Sequence, residues 1–264
     1  MWNRTPKPAP NFLGSPAEVA EQCEIIQLFV ADAQAVMRTI DALAEALTPE
    51  HVIVCSATIG LEGTLEAAKR VRQLGARFLD APFTGSKGAA DKRQLVYYVG
   101  GEDEDFLRVQ PVLEATSRAI VHIGETGQAA AVKVITNLIS ATTAQVLGEA
   151  LAIVRRLGIR PEVFAEAIEH NAIRSGVTDL KLPAMISGDF TPHFALKHMF
   201  KDVQLGIQLA NQLDHEVPVV GTVGGLLYGA VTRGWGDLDY SALEKVYDTA
   251  VPPKPVVEPP AGGK

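Results

Sequence analysis

Short β-rich runs alternate with helical patterns through roughly the first 124 residues, and then the alternation stops. The runs Glu24–Val30, His51–Cys55, Arg77–Asp80, Leu95–Val99 and Ala119–Ile123 are rich in β-branched and aromatic residues, as strands are. Between or ahead of them, helical patterns cover Pro16–Gln22, Ala33–Leu47, Leu61–Leu74 (stopped by Gly75) and Asp103–Ala115. Parallel strands need a crossover of a dozen or more residues, usually a helix, so this alternation predicts an α/β fold of βαβ units around a mostly parallel sheet. The opening Met1-Trp2-Asn3-Arg4-Thr5-Pro6 reads as the end of a strand running into a turn.

From Gly127 to Leu157 the chain is an almost unbroken run of helix formers closed by Gly158. At about 1.5 Å per residue it makes a helix more than ~40 Å long. Lys133, Asn137, Gln145 and Glu149 make it too polar for a membrane span. Helical patterns follow at Pro161–His170, Thr178–Ile186, Phe200–Leu213, Pro218–Arg233 and Ser241–Thr249, with no further strand pattern. Residues 1–125 are therefore expected to form an α/β domain and 126–251 an all-helical one. The five prolines and the adjacent glycines of 252–264 predict a disordered tail.

Composition narrows the class. With 264 residues, 47% hydrophobic and 21% charged, the chain can bury a sizeable core, which excludes a disordered chain, a fibrous repeat and a disulfide mini-protein. A net charge of −7 argues against a general nucleic-acid binder. Cys23 and Cys55 show no metal or redox spacing and are read as reduced core residues of a cytoplasmic protein. The six histidines form no zinc-binding pattern, and no metal site is expected.

Four segments can carry chemistry, each with a plainer alternative. Asp80-Ala81-Pro82-Phe83-Thr84-Gly85-Ser86-Lys87-Gly88 follows a strand, where open parallel sheets bind ligands. Its hydroxyls and bare backbone can meet a carboxylate, or simply make a tight turn. Lys133 and Asn137 share one face of the long helix; the lysine can protonate a developing alkoxide, or be an ordinary solvated side chain. Asn3-Arg4-Thr5 offers a guanidinium, an amide and a hydroxyl to a phosphate, or a plain turn. Lys201 and Asp202 open a helix after Phe200, where an acid is commonly a dipole-favoured charge.

In order, Trp2-Asn3-Arg4-Thr5, Thr58-Ile59, Asp80 to Ser86, Gly124-Glu125-Thr126-Gly127 with Lys133 and Asn137, and Phe200-Lys201-Asp202 resemble the β-hydroxyacid dehydrogenase family over about residues 2–250. The family includes 3-hydroxyisobutyrate dehydrogenases and glyoxylate/succinic semialdehyde reductases. The resemblance implies a Rossmann-type cofactor domain joined by the long helix to an all-helical domain. It implies hydride transfer between NADP(H) and a small hydroxy acid, semialdehyde or keto acid. Lys133 matches the family's catalytic lysine, Asn137 lines the same site, and Thr84, Gly85 and Ser86 match the segment holding the substrate carboxylate. Val30, Ala31 and Thr58 match cofactor contacts, although Ala57 and Ala31 replace a hydroxyl and a proline common in the family. Lys201 and Asp202 match the pair that closes over the cofactor. Asn3, Arg4 and Thr5 stand where NADP users hold the 2′-phosphate, with no acidic residue there to suit NAD. A homodimer or homotetramer is implied too, with no nucleic-acid or membrane partner.

One departure is large. The family opens with a strand, GxGxxG and a helix, and no GxGxxG occurs in these 264 residues. The reading is then of a sheet lacking its first strand, with Trp2–Asn3 belonging to its second, and of weak NADPH binding by the chain as it stands. The alternatives are a non-catalytic helical dimerisation module and an imine reductase-like enzyme, the latter disfavoured by Lys133.

Overall fold

Local chemistry starts the helices where the patterns begin. Ser15 caps α1 (Pro16–Gln22) by accepting a bond from Glu18 N, and Asp32 caps α2 (Ala33–Leu43) by accepting one from Ala35 N at 2.8 Å. The computed structural model of the chain describes residues 1–6 and 8–247, so the tail at 252–264 and the end of the Ser241–Thr249 pattern lie outside the described residues. The strands are β1 (Ile25–Leu28), β2 (Val52–Cys55), β3 (Arg77–Asp80), β4 (Phe83–Thr84), β5 (Leu95–Gly100) and β6 (Ser117–Gly124). They form one sheet in the order β1-β2-β3-β5-β4, with β6 also on β5. The pairs β1–β2, β2–β3 and β5–β6 are parallel, whereas β3 and β4 meet β5 antiparallel.

Alternation along the strands sends side chains to two cores. Ile26, Leu28, Ile53, Cys55 and Phe78 join α2 and α3 (Gly60–Gln73) on one face. Val52, Val54, Leu79, Tyr97 and Val99 join Val109 and Leu113 of α5 (Asp103–Glu114) on the other. A short helix, α4 (Lys87–Asp91), and the two-residue β4 occupy the stretch after β3 for which the sequence left a tight turn open as one reading.

Three expectations are corrected. Trp2–Asn3 is not a strand: no neighbouring strand offers it a ladder, and the segment is held instead by Leu13 N donating to Met1 O at 2.8 Å. Cys23 is exposed, because it ends α1 on the surface; Cys55 alone is a core residue, with its thiol pushed up to about 12 by burial. The helix expected to open at Phe200 begins one turn earlier, as α9 (Leu196–Gln212), since Asp239 and Leu238 bond the residues around Phe194–Leu196 and organise its entry.

The helical part comprises α6 (Gln128–Arg156), α7 (Pro161–Glu169), α8 (Gly176–Ser187), α9, α10 (Pro218–Ala230), a wider turn at Val231–Trp235 and a 3₁₀ segment at Tyr240–Tyr247. Ala141, Ala144, Leu147 and Leu151 of α6 meet Met185, Met199, Val203 and Leu227 in its core. Lys181 donates to both oxygens of Asp239 at 2.9 Å within this core. The chain divides into two compact units, Met1–Thr136 with Gln208–His215, and Asn137–Ile207 with the residues from Glu216 on, so the division falls inside α6. By length and composition alone α6 could cross a membrane, with mean hydropathy 1.3 in its most apolar window and 44% of that window buried.

Candidate active site

Because β1, β2 and β3 run parallel, the residues that follow them leave the sheet on one rim. Val30 and Ala31 follow β1, Thr58 follows β2, and Thr84–Ser86 follow β3, so the first unit gathers these sequence-derived candidates at the edge where α/β sheets take ligands. Val30 and Thr58 are half-buried and Ala31 is exposed. Backbone pairing locks the loop: Phe83 pairs with Tyr97, Thr84 with Val96, and Tyr98 N donates to Pro82 O at 2.9 Å. Gly85 is exposed, and Ser86 stands at the start of α4 with its hydroxyl not engaged in capping that helix. Thr84 and Ser86 can therefore turn hydroxyls and amides toward an anion.

Asn3, Arg4 and Thr5 are exposed, with Asn3 Nδ2 turned back to Thr5 O at 2.6 Å. This is a tight turn presenting a guanidinium rather than a strand end.

Lys133 and Asn137 stand one turn apart on α6, and both are nearly buried, at 9% and 7% exposure. Asn137 Nδ2 donates to Asp202 Oδ2 at 2.6 Å, and Lys201 Nζ lies 2.8 Å from Asp202 Oδ1. Asp202 is only 1% exposed. Its oxygens face Asn137 and Lys201. An ionised carboxylate accepts and never donates, which fixes the orientation of the Asn137 amide and leaves Oδ1 as its accepting end. His198, one turn before Asp202, has its pKa lowered by burial and then by Lys197 and Lys201, so it is neutral at pH 7.

Sequence reasoning passed over two contributors. Gly206 lies on α9 one turn beyond Asp202, and a Cβ there would stand 2.5 Å from Leu138 Cδ2, so its bareness lets α9 approach α6 closely enough for the Asn137 bond. Asp80 is a buried carboxylate at the end of β3; an acid closing an apolar strand is the one local signal that could have singled it out. No group of three or more His, Cys, Asp or Glu suited to a metal ion occurs among the described residues.

Residues 3–124 match the NAD binding domain of 6-phosphogluconate dehydrogenase, and residues 127–247 match the NAD-binding domain of NADP-dependent 3-hydroxyisobutyrate dehydrogenase. The chain is 26% identical to glyoxylate/succinic semialdehyde reductase 2 of Arabidopsis thaliana over 92% of its own length and 71% of that protein's. It is 33% identical to an uncharacterised oxidoreductase of Synechocystis over 78% of its own length and 76% of that protein's. Among solved structures, 3-hydroxyisobutyrate dehydrogenase from Salmonella typhimurium superposes with a TM-score of 0.82 at 27% identity, covering 89% of this chain and 83% of that one. A mixed α/β unit with a mostly parallel sheet, a large helical part and two NAD(P)-binding family matches lead to one assignment: the chain belongs to the 3-hydroxyisobutyrate dehydrogenase/glyoxylate reductase family of NAD(P)-binding oxidoreductases.

Proposed function

We propose that the chain is an NADP-dependent reductase of small semialdehydes or keto acids, and in reverse a dehydrogenase of the corresponding hydroxy acids. The observation that carries this reading is the nearly buried Lys133–Asn137 pair on α6, with the asparagine amide held by Asp202. The relatives' names point the same way, one a glyoxylate/succinic semialdehyde reductase and another a 3-hydroxyisobutyrate dehydrogenase.

The residues fit the nicotinamide end of such a cofactor better than its pyrophosphate. The rim at Val30, Ala31 and Thr58 would hold the nicotinamide half, and the exposed Arg4 with Asn3 and Thr5 would take a 2′-phosphate. No GxGxxG turn for the pyrophosphate lies within these 264 residues. Bound NADPH supplies a hydride to the carbonyl carbon. Thr84, Gly85 and Ser86 hold the substrate carboxylate, which orients the carbonyl. Lys133 gives its proton to the carbonyl oxygen as negative charge grows there, and takes it back in the oxidative direction.

We also read the protein as cytoplasmic and homo-oligomeric, without nucleic-acid or membrane partners. Two unpaired cysteines suit a reducing compartment, and the partly buried α6 suits a core helix better than a lipid-facing one.

Lys133→Ala tests the mechanism. Turnover of C2–C4 semialdehydes with NADPH is expected to fall by about 10²–10⁴, the usual size of a lost general acid. The dissociation constant for NADPH, followed by fluorescence titration, is expected to stay within about twofold, since the lysine serves the reacting oxygen. Near-normal turnover in this variant would sink the proton-donor role.

A further inference from the structure

Asp80, the last residue of β3, has its carboxylate turned onto backbone amides. Oδ1 accepts from Gly127 N at 2.8 Å and Oδ2 from Ala130 N at 2.9 Å, with the residue 1% exposed. These amides belong to the start of α6, where N–H groups have no partner within the helix and the dipole favours negative charge. Burial raises the pKa of the carboxyl, and the Gly127 and Ala130 amides offset only part of the rise.

The surroundings are shaped to admit this group. Gly100, which pairs with Asp80 across β3–β5, has no side chain; a Cβ there would lie 2.8 Å from Asp80 Oδ1 and 2.7 Å from Glu125 O. Gly101 N donates to Gly124 O at 2.8 Å, tying the same strand end to the chain that leads into α6. In the other direction the backbone passes from Asp80 through Ala81 and Pro82 to Thr84, with Ala81 N donating to Cys55 O at 2.8 Å. Lys133 follows Ala130 by one turn. All of these residues belong to the first compact unit.

We infer that Asp80 is a positioning residue for the reaction: its carboxylate pins the first turn of α6, and with it Lys133, to the strand end that carries Thr84–Ser86. A side chain within the helix could cap α6 equally well, but would leave the lysine and the carboxylate loop unconnected. This inference rests on the roles proposed above for Lys133 and Thr84–Ser86. A reacting geometry about 1 Å off can lower the rate on the order of 100-fold, so a short, rigid link between the two segments matters more to turnover than to folding.

The test uses the full chain carrying [ε-13C]lysine, with the Lys133 NMR signal assigned by its loss in Lys133→Arg. Asp80→Asn keeps the size of the side chain, but the amide accepts at one end only and turns an NH₂ toward a backbone N–H. In this variant, hydrogen exchange at Gly127 and Ala130 is expected to quicken at least about tenfold. The Lys133 signal is expected to move, whereas those of the exposed Lys69 and Lys92 stay. Gly100→Ala crowds the carboxylate without removing it and is expected to move the same signal, which decides the matter if Asp80→Asn does not fold. A Lys133 signal unmoved while the Gly127 and Ala130 amides are released would reduce Asp80 to a helix cap and overturn the inference. In turnover, kcat of Asp80→Asn is expected to fall about tenfold or more with the KM for NADPH within about twofold. Wild-type kcat in Asp80→Asn, beside a collapsed kcat in Lys133→Ala, would also overturn it. Retained turnover in Lys133→Ala would instead fell the proton-donor reading, and the position of the Lys133 signal would still judge Asp80.

Discussion

The proposed preference for NADP over NAD rests on Arg4. It sits exposed in a turn whose Asn3 amide is bonded to Thr5 O, so its guanidinium is presented outward. A planar fork of N–H donors matches a phosphate far better than a ribose hydroxyl. Arg4→Ala is therefore expected to raise the KM for NADPH about tenfold, roughly the 1.4 kcal/mol of one charge-assisted hydrogen bond, and to leave that for NADH unchanged. Parallel initial-rate series with the two cofactors check this, and an equal loss with both would show that Arg4 does not read the 2′-phosphate. The i, i+4 spacing puts Lys133 and Asn137 on one face of a helix, but spacing alone suits an ordinary solvated pair equally well, and it is the ordered set of family motifs that singles them out. Asp202 was legible as a motif but not as a partner: the amide it holds lies 65 residues away, and only packing brings the two together. Asp80 was hidden in the same way, since the amides it accepts from are 47 and 50 residues downstream.

At the scale of elements, strand and helix patterns in the first half were legible from their periodicity, and two of the helices also carry a capping residue as a start signal. Ser15 and Asp32 cap the helices that follow them, and Arg77–Asp80 has the predicted bounds. What the pattern did not convey was pairing. Phe83–Thr84 becomes a strand because Val96 and Tyr97 of β5 are there to meet it, and Trp2–Asn3 fails to become one because it has no such neighbour. The entry of α9 is set likewise by Asp239, whose carboxylate receives His193 N and Phe194 N while paired with the buried Lys181. The approach of α9 to α6 has a single-residue test. In Gly206→Val the added methyl groups would enter the space of Leu138, where even a Cβ stands 2.5 Å from Cδ2. Overpacking of this kind is expected to lower stability by about 1–3 kcal/mol in urea unfolding. The 2.6 Å bond between Asn137 and Asp202 is expected to lengthen with it, lowering kcat more than the KM for substrate. A folded variant with unchanged kcat would show that the spacing of the two helices does not govern the asparagine.

On the scale of the whole molecule, the feature left over after the three cores are built is one face of α6 together with Leu157, the residue just beyond its end. Ile135, Ile139, Val146, Ile153 and Leu157 are between 47% and 64% exposed, while Ala141, Ala144, Leu147 and Leu151 on the other side are buried. Their spacing of four, seven, seven and four residues keeps them on one stripe, as in a coiled-coil seam. The spacing is also the same read in either direction from Val146. Two copies packed antiparallel about a two-fold axis through Val146 would set Ile139 against the partner's Ile153 and Ile135 against the partner's Leu157, a self-complementary interface. The proposed homo-oligomer is thus expected to use this stripe and to sediment at no less than twice the 28.2 kDa chain. Val146→Asp places two like charges on the axis and is expected to give the monomer from one substitution, because burying unpaired charges costs several kcal/mol. Ile139→Asp with Ile153→Asp is expected to dissociate it too. The antiparallel register predicts more: Ile139→Lys with Ile153→Asp faces opposite charges twice across the axis and recovers at least part of the association, as a parallel pairing of the helices would not. Analytical ultracentrifugation of the four proteins separates the cases. A wild-type chain sedimenting at 28.2 kDa would remove the stripe from any role in assembly. Equal dissociation of both double variants would keep the interface but discard the two-fold axis through Val146.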